Sequence, residues 1–171
     1  AAEDWIYMVP GAAMEPLSTD PLFYRDRTIL QIDPDDIHSV TLKKNGREQV
    51  LVRDEQGVFL PRPGEGDATF RKLPLERKFR VLSKLECRTF VAGDDADAAR
   101  YGLAPPECEL TLGLSGEKGI GKTLRLGGAP QGGGLYGQLQ GQDAIFVLDR
   151  ESAGILCDDL YVAVEEPENE E

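Results

Sequence analysis

A single histidine, His38, serves the whole 171-residue chain. With no second imidazole, a catalytic triad has one candidate base, and His38 sits beside Ser39 in a strand-like run that reads as structural or exposed. Three cysteines, Cys87, Cys108 and Cys157, are scattered without metal-ligand spacing, which disfavours a zinc site. They read as small buried apolar residues, with one disulfide left open. Positive charge is scarce: 19 Lys and Arg stand against 31 Asp and Glu, a net charge of −12. That argues against nucleic acid as the main partner and against adsorption to anionic lipid, both of which need a basic surface. No apolar run approaches the roughly 18–20 residues of a membrane span, and the start, AAEDW, lacks the basic and apolar regions of a signal peptide.

What is present is a globular composition, 40% hydrophobic and 29% charged. Short alternating runs dominate. "IHSVTLKK" (Ile37–Lys44), "EQVLVRD" (Glu48–Asp54) and "GVFLPR" (Gly57–Arg62) predict an antiparallel meander of three strands, the first two joined by Asn45-Gly46, a strong hairpin signal. "RTFVAGD" predicts a short strand, and "DADAARYGL" a short helix ended by Gly102. "CELTLGL", "KTLRLGG", "GLYGQLQG" and "DAIFVLD" predict four further strands, with Cys108, Leu110, Leu112 and Leu114 sharing one face. Between the two sets the period changes. Leu75, Phe79, Leu82 and Leu85 fall at helical spacing and predict one amphipathic helix over Pro74–Glu86. The fold class is α+β, with mostly antiparallel sheets covered by that helix. Arg77, Lys78, Arg80 and Lys84 form the other, basic face, a candidate interaction surface on an acidic protein; the alternative is an ordinary solvated face.

One segment announces chemistry. Gly116–Thr123 reads G-E-K-G-I-G-K-T, the residue pattern of a phosphate-binding loop. "AIFVLD" ends in Asp149, like a strand that positions magnesium. The surroundings disagree. A phosphate loop must open a helix, so that backbone N–H groups and the helix dipole converge on phosphate. Here "LRLGGAPQGGG" follows, alternating and then rich in glycine. The segment therefore predicts a hairpin loop over Gly116–Gly121, with Lys122-Thr123 starting the return strand. A nucleotide hydrolase is the least favoured reading. The acid clusters Asp33–Asp36 and Gly93–Asp97 lack the ligand spacing of a calcium loop and read as turn and helix starts. Gly127–Gly134 reads as a mobile hairpin tip. No catalytic, cofactor-binding or metal-binding residue is expected.

A repeat is visible. Asp4-Trp5-Ile6-Tyr7-Met8-Val9 lies over Asp143-Ala144-Ile145-Phe146-Val147-Leu148, Leu17 over Leu156 and Asp20 over Asp159. Each copy reads strand, short helix, then Asp, Leu and an aromatic. The expected organisation is residues 1–24 as the end of a preceding module, 25–164 as one α+β module, and 165–171 (EEPENEE) as a disordered acidic tail.

In order along the chain, "FYRDRTILQIDPDDIHSVTLKKNG", "GVFLPRP", "RYGLAPPECELTLGL", "GKTLRLGGAP", "GLYGQL" and "AIFVL" resemble the bacterial family catalogued as domain of unknown function 4340. The resemblance covers about Phe23 to Leu160, with Tyr101-Gly102-Leu103 and Pro105-Pro106 its most specific piece. It implies tandem modules and membrane anchoring near an N-terminal segment, with the modules on the extracytoplasmic side of the bacterial cell envelope. It also implies, for some members, association with ABC-type transport or gliding-type assemblies, and it carries no activity and no catalytic residues. The expected function is a non-enzymatic module that binds another protein, a transporter-linked envelope component, with strand-mediated self-association also open. The alternative is a small-ligand or glycan-binding module with Gly127–Gly134 as its rim.

Overall fold

A computed structural model of the protein describes residues 21–62, 69–72, 75–92, 97–115 and 121–164. The expected strand and helix before residue 21, the start of the predicted helix at Pro74, the acids at 93–96, the glycine-rich 116–120 and the acidic tail lie outside the described residues.

Among the described residues the protein is mostly antiparallel β-sheet with two helices and short 3-10 turns. In chain order, a turn at Pro21–Tyr24 precedes β1 (Thr28–Leu30), and a second turn at Pro34–Asp36 leads into β2 (Ile37–Lys44). Asp33 caps the second turn, its carboxylate accepting from Asp35 N. β2 buries Ile37, Val40 and Leu42 and exposes His38 and Lys43. Asn45 and Gly46 then turn the chain at φ +52° and +72°, the left-handed pair that matches strand twist, into β3 (Arg47–Arg53). β4 (Phe59–Pro61) and β5 (Thr69–Lys72) precede helix α1 (Glu76–Ser83). Next come β6 (Leu85–Glu86), β7 (Thr89–Ala92) and a turn at Ala98–Tyr101 ended by left-handed Gly102. β8 (Cys108–Leu114), β9 (Lys122–Gly127), β10 (Leu135–Leu139) and β11 (Ile145–Leu148) follow, then helix α2 (Arg150–Cys157) and β12 (Tyr161–Val164).

Eight strands form the main sheet in the order β4-β3-β2-β8-β9-β10-β11-β7. Two runs of sequence neighbours, β4-β3-β2 and β8 to β11, meet at a long-range ladder where Val40 pairs with Leu112 and Leu42 with Leu110, and β7 joins the far end by a second one on β11. Cys108, Leu110 and Leu112 on β8, and Leu124 and Leu126 on β9, turn inward as their alternation requires. Helix α2 packs on β8, and α1 packs on α2. Leu82, Ala153 and Leu156 join the strand residues in a single core. Two small sheets flank it: β1 pairs with β6, and β5 with β12.

The first helix ends sooner than its periodicity predicts. Leu85 is buried, but within β6, where it pairs with Leu30 rather than continuing the helical stripe. The backbone at Lys84 has already left the helix, at φ −153°. The glycine segment from Gly127 is also pinned at its start. Gly128 N donates to Glu107 Oε1 at 3.1 Å, and Tyr136 N donates to Gly128 O at 3.0 Å.

Candidate functional site

Lys122 and Thr123 open β9, not a helix. They pair with Leu112 and Thr111 of β8, and the Thr123 hydroxyl lies 3.0 Å from that of Thr111. In a phosphate loop the hydroxyl would face magnesium; here a cross-strand hydroxyl engages it. Asp149 is engaged as well. Its Oδ1 accepts from Ser152 N at 2.8 Å and caps α2. Partial burial pulls this carboxyl up, but hydrogen bonds from Ser152 and Glu151 outweigh it and hold the group below the usual aspartate value.

The basic helix face divides. Arg77, Arg80 and Lys84 are exposed, and Lys84 Nζ lies 2.6 Å from Glu86 Oε1. Lys78 does not share that face. It is buried, at 3% exposure, because its position on α1 points at the end of α2. Its ammonium donates to the carbonyls of Ile155 and Asp158 and, at 3.0 Å, of Leu156. A helix end leaves carbonyls without intrahelical partners, and an ammonium carries three N–H donors to meet them. Burial pushes the Lys78 pKa down to about 8; the charges of Asp158, Cys108 and Cys157 pull it back up.

A second lysine completes the clamp. Lys44, at the end of β2, donates from Nζ to Cys157 O at 2.9 Å. Carbonyls 155 to 158 are thus all taken by two cations at the negative end of the α2 dipole. Nearby, Gln49 acts as a strand mimic for the chain after α2. Its amide nitrogen donates to Tyr161 O at 2.8 Å, and its oxygen accepts from Leu160 N at 2.7 Å. A cavity of about 400 Å³ opens beside these groups, lined by Leu42, Lys44, Asn45, Arg47, Gln49 and Asp159.

Sequence reasoning missed the clamp, although a signal existed. Leu75, Lys78, Leu82 and Leu85 are spaced three, four and three, so position 78 lies on the inward stripe by period alone. Lys44 carried no comparable signal, since its target lies more than a hundred residues away.

The exposed large hydrophobics among the described residues gather at the two ends of the main sheet. Phe23 and Tyr24, each 57% exposed, lie in the turn beside β7, and Val91 lies in β7 itself. Phe23 and Tyr24 meet edge to face at 5.3 Å, while Arg25 Cζ sits 4.5 Å over the Phe90 ring. Val58 and Leu60 lie at the opposite end, next to and within β4.

A family model described as Domain of unknown function (DUF4340) matches residues 62–156, more than half of the chain. The chain belongs to this family. The match runs from the end of β4 through α1 and the strands β7 to β11 to the penultimate residue of α2. The DUF4340 segment thus holds Lys78 and the carbonyls of Ile155 and Leu156 that it binds, while Lys44 and Cys157 fall outside it. No curated protein and no solved structure matches the chain. Among the described residues of this DUF4340 member, no helix is long and apolar enough to cross a membrane, and no group of His, Cys, Asp and Glu is placed to hold a metal ion.

Proposed function

We propose that this chain is a non-enzymatic module of a bacterial cell-envelope protein. It acts on the extracytoplasmic side by binding another protein, as an accessory to an ABC-type transport or gliding-type assembly. One observation carries the reading. Among the described residues the exposed large hydrophobics fall in or beside the two end strands of the sheet, with Phe23, Tyr24 and Val91 at one end. Apolar surface grouped at a strand edge suits a protein partner or a neighbouring module. The two groups most suggestive of chemistry, Asp149 and Lys78, are each taken by backbone partners within the fold. Candidate contacts of the partner are the end-strand residues, together with Arg77 and Arg80.

Photo-crosslinking amino acids at Tyr24, Val91 and Leu60, compared with His38 and Glu48, test the proposal in cells of the source organism. Adducts to one envelope protein concentrated at the end-strand positions, and lost with Val91→Lys, are the expected result. Equal labelling at all five positions overturns it. Adducts to a second copy of the chain at those positions identify strand-mediated self-association instead.

A small-ligand module is the second reading, favoured by the polar cavity beside Arg47 and Asp159. Among the described residues its lining has no aromatic ring for a sugar to stack on. Saturable binding of a small solute, abolished by Arg47→Ala and untouched by Val91→Lys, would replace the first reading.

A further inference from the structure

We infer that the β7 end of the main sheet docks an acidic peptide segment of the partner protein, whose carboxylates meet Arg25, Arg27, Arg88 and Arg150 beside the exposed Phe23 and Tyr24. The inference rests on the protein-binding reading above and adds the chemistry of the partner. Contacts within the fold gather the four arginines. Arg88 Nη1 donates to Gly132 O at 3.2 Å. A Cβ added to the next residue, Gly133, would lie 3.6 Å from Arg150 Nη2. Arg88 and Arg150 thus flank one stretch of the loop before β10. Arg27 O accepts from Cys87 N at 2.9 Å, which sets Arg27 beside the residue preceding Arg88. Arg25 Cζ sits 4.5 Å over the ring of Phe90 in β7. All four arginines are exposed. The turn that carries Phe23 and Tyr24 leads directly into Arg25 and packs on β7, so cationic and aromatic surface share one end of the sheet.

The charge of this cluster is left over. The protein holds 31 acids against 19 bases, so a group of bases without acids runs against its composition. Among the described residues, the ion pairs draw on Lys43, Arg53, Lys84 and Arg125, and none involves these four arginines. The neighbouring acids are engaged elsewhere: Asp26 Oδ1 accepts from Thr28 N at 2.9 Å, Glu86 Oε1 lies 2.6 Å from Lys84 Nζ, and Asp149 caps α2. Only Glu151, exposed in the first turn of α2, stands nearby without an ion pair among the described residues. A guanidinium is weakly hydrated and its planar fork fits a carboxylate. One exposed ion pair contributes little, so several must act together with apolar burial, which Phe23, Tyr24 and Val91 supply. The apolar neighbours and the net charge select a peptide over a larger polyanion. A short acidic segment meets the arginines within a Debye length of about 10 Å. An anionic bilayer or a nucleic acid also faces the net charge of −12 on the rest of the protein.

The experiment titrates the full chain into a fluorescein-labelled peptide that alternates glutamate with valine and phenylalanine, and reads anisotropy. A peptide with lysine at the glutamate positions is the control. The acidic peptide should bind saturably and the lysine peptide should not. Arg27→Gln/Arg150→Gln, which removes no side-chain hydrogen bond or ion pair described in the fold, should weaken binding about tenfold, as should raising salt from about 50 to about 300 mM. Arg47→Gln/Lys122→Gln removes the same charge elsewhere and should leave Kd within about twofold. No binding of the acidic peptide, equal loss in both double variants, or indifference to salt overturns the inference. So do vesicles of phosphatidylglycerol in phosphatidylcholine that bind the chain and displace the peptide, which would assign the arginines to a membrane. Failure here is distinct from failure of the protein-binding reading. End-strand adducts in cells that persist at full yield in Arg27→Gln/Arg150→Gln, or that map to a partner segment without an excess of Asp and Glu, sink this inference alone. Even labelling over the surface sinks the reading beneath it.

Discussion

Lys78 donates to the carbonyl of Leu156 at 3.0 Å, so a charged residue of α1 finishes the hydrogen bonding of α2. Removing the ammonium strands carbonyls that water reaches poorly. Lys78→Met is expected to lower the unfolding free energy by about 3 kcal/mol. Lys78→Arg should not restore it, because a planar guanidinium does not spread its donors as an ammonium does. Arg77→Ser and Arg80→Ser, on the exposed face, should stay within about 0.5 kcal/mol. Urea denaturation of the four variants measures the contrast.

Lys78 also gives stability a pH dependence. Its folded pKa is about 8, against the ordinary 10.5. Between those values the unfolded chain binds more protons than the folded one, so the contribution of this group to stability grows as pH rises. It is fully present above 10.5 and is lost as pH falls through 8. The wild-type advantage over Lys78→Met should therefore widen between pH 7 and pH 10, and paired denaturation series at those pH values read it directly.

Asp149 and Lys122 separate the strand-and-cap account from a nucleotide site. Asp149→Ala should cost about 1 kcal/mol through the lost helix cap. Lys122→Ala, at an exposed strand start, should leave stability within about 0.5 kcal/mol. A thermal-shift scan with ATP or GTP and magnesium should give the same Tm for wild type and Lys122→Ala; stabilisation that depends on Lys122 would restore the hydrolase reading.

Gly127 meets backbone where a side chain would go. A Cβ there would lie 2.0 Å from Gly102 O. The atoms it would meet, of Gly102 and Glu107, are backbone, so Gly127→Ala should destabilise the protein by more than about 2 kcal/mol, visible as an early denaturation midpoint. Gly141, whose added Cβ meets nothing within 4 Å, sits at φ +84° and should show only the smaller cost of a left-handed alanine.

Most of the main sheet was legible in the sequence because its strands are long enough to alternate and its turns carry marked residues. Leu110 and Leu112 announce one face of β8, and Asn45-Gly46 announces a hairpin. The small sheets were not legible. β6 has two residues and β1 three, too few for a period, and Thr28 finds its partner only at Glu86. The Lys78 clamp was hidden for a chemical reason: residue type suggested an outward face, whereas the spacing from Leu75 to Leu82 pointed it inward. The end-strand patch was invisible because Phe23 and Val91 are far apart in sequence and only the fold brings their turn and strand side by side.

The strand order carries a consequence for how a ribosome delivers this chain. Val40 waits for Leu112, and Phe90 at the far end waits for Phe146. β2 lacks its closing neighbour until β8 has emerged, β7 until β11 has, and Lys78 has no carbonyls to bind until the end of α2 has. Folding is then rate-limited by distant pairings, and the nascent first half presents open edges during synthesis. A polypeptide cut just before β11 should accordingly depend on a holding chaperone, whereas the completed chain supplies its own.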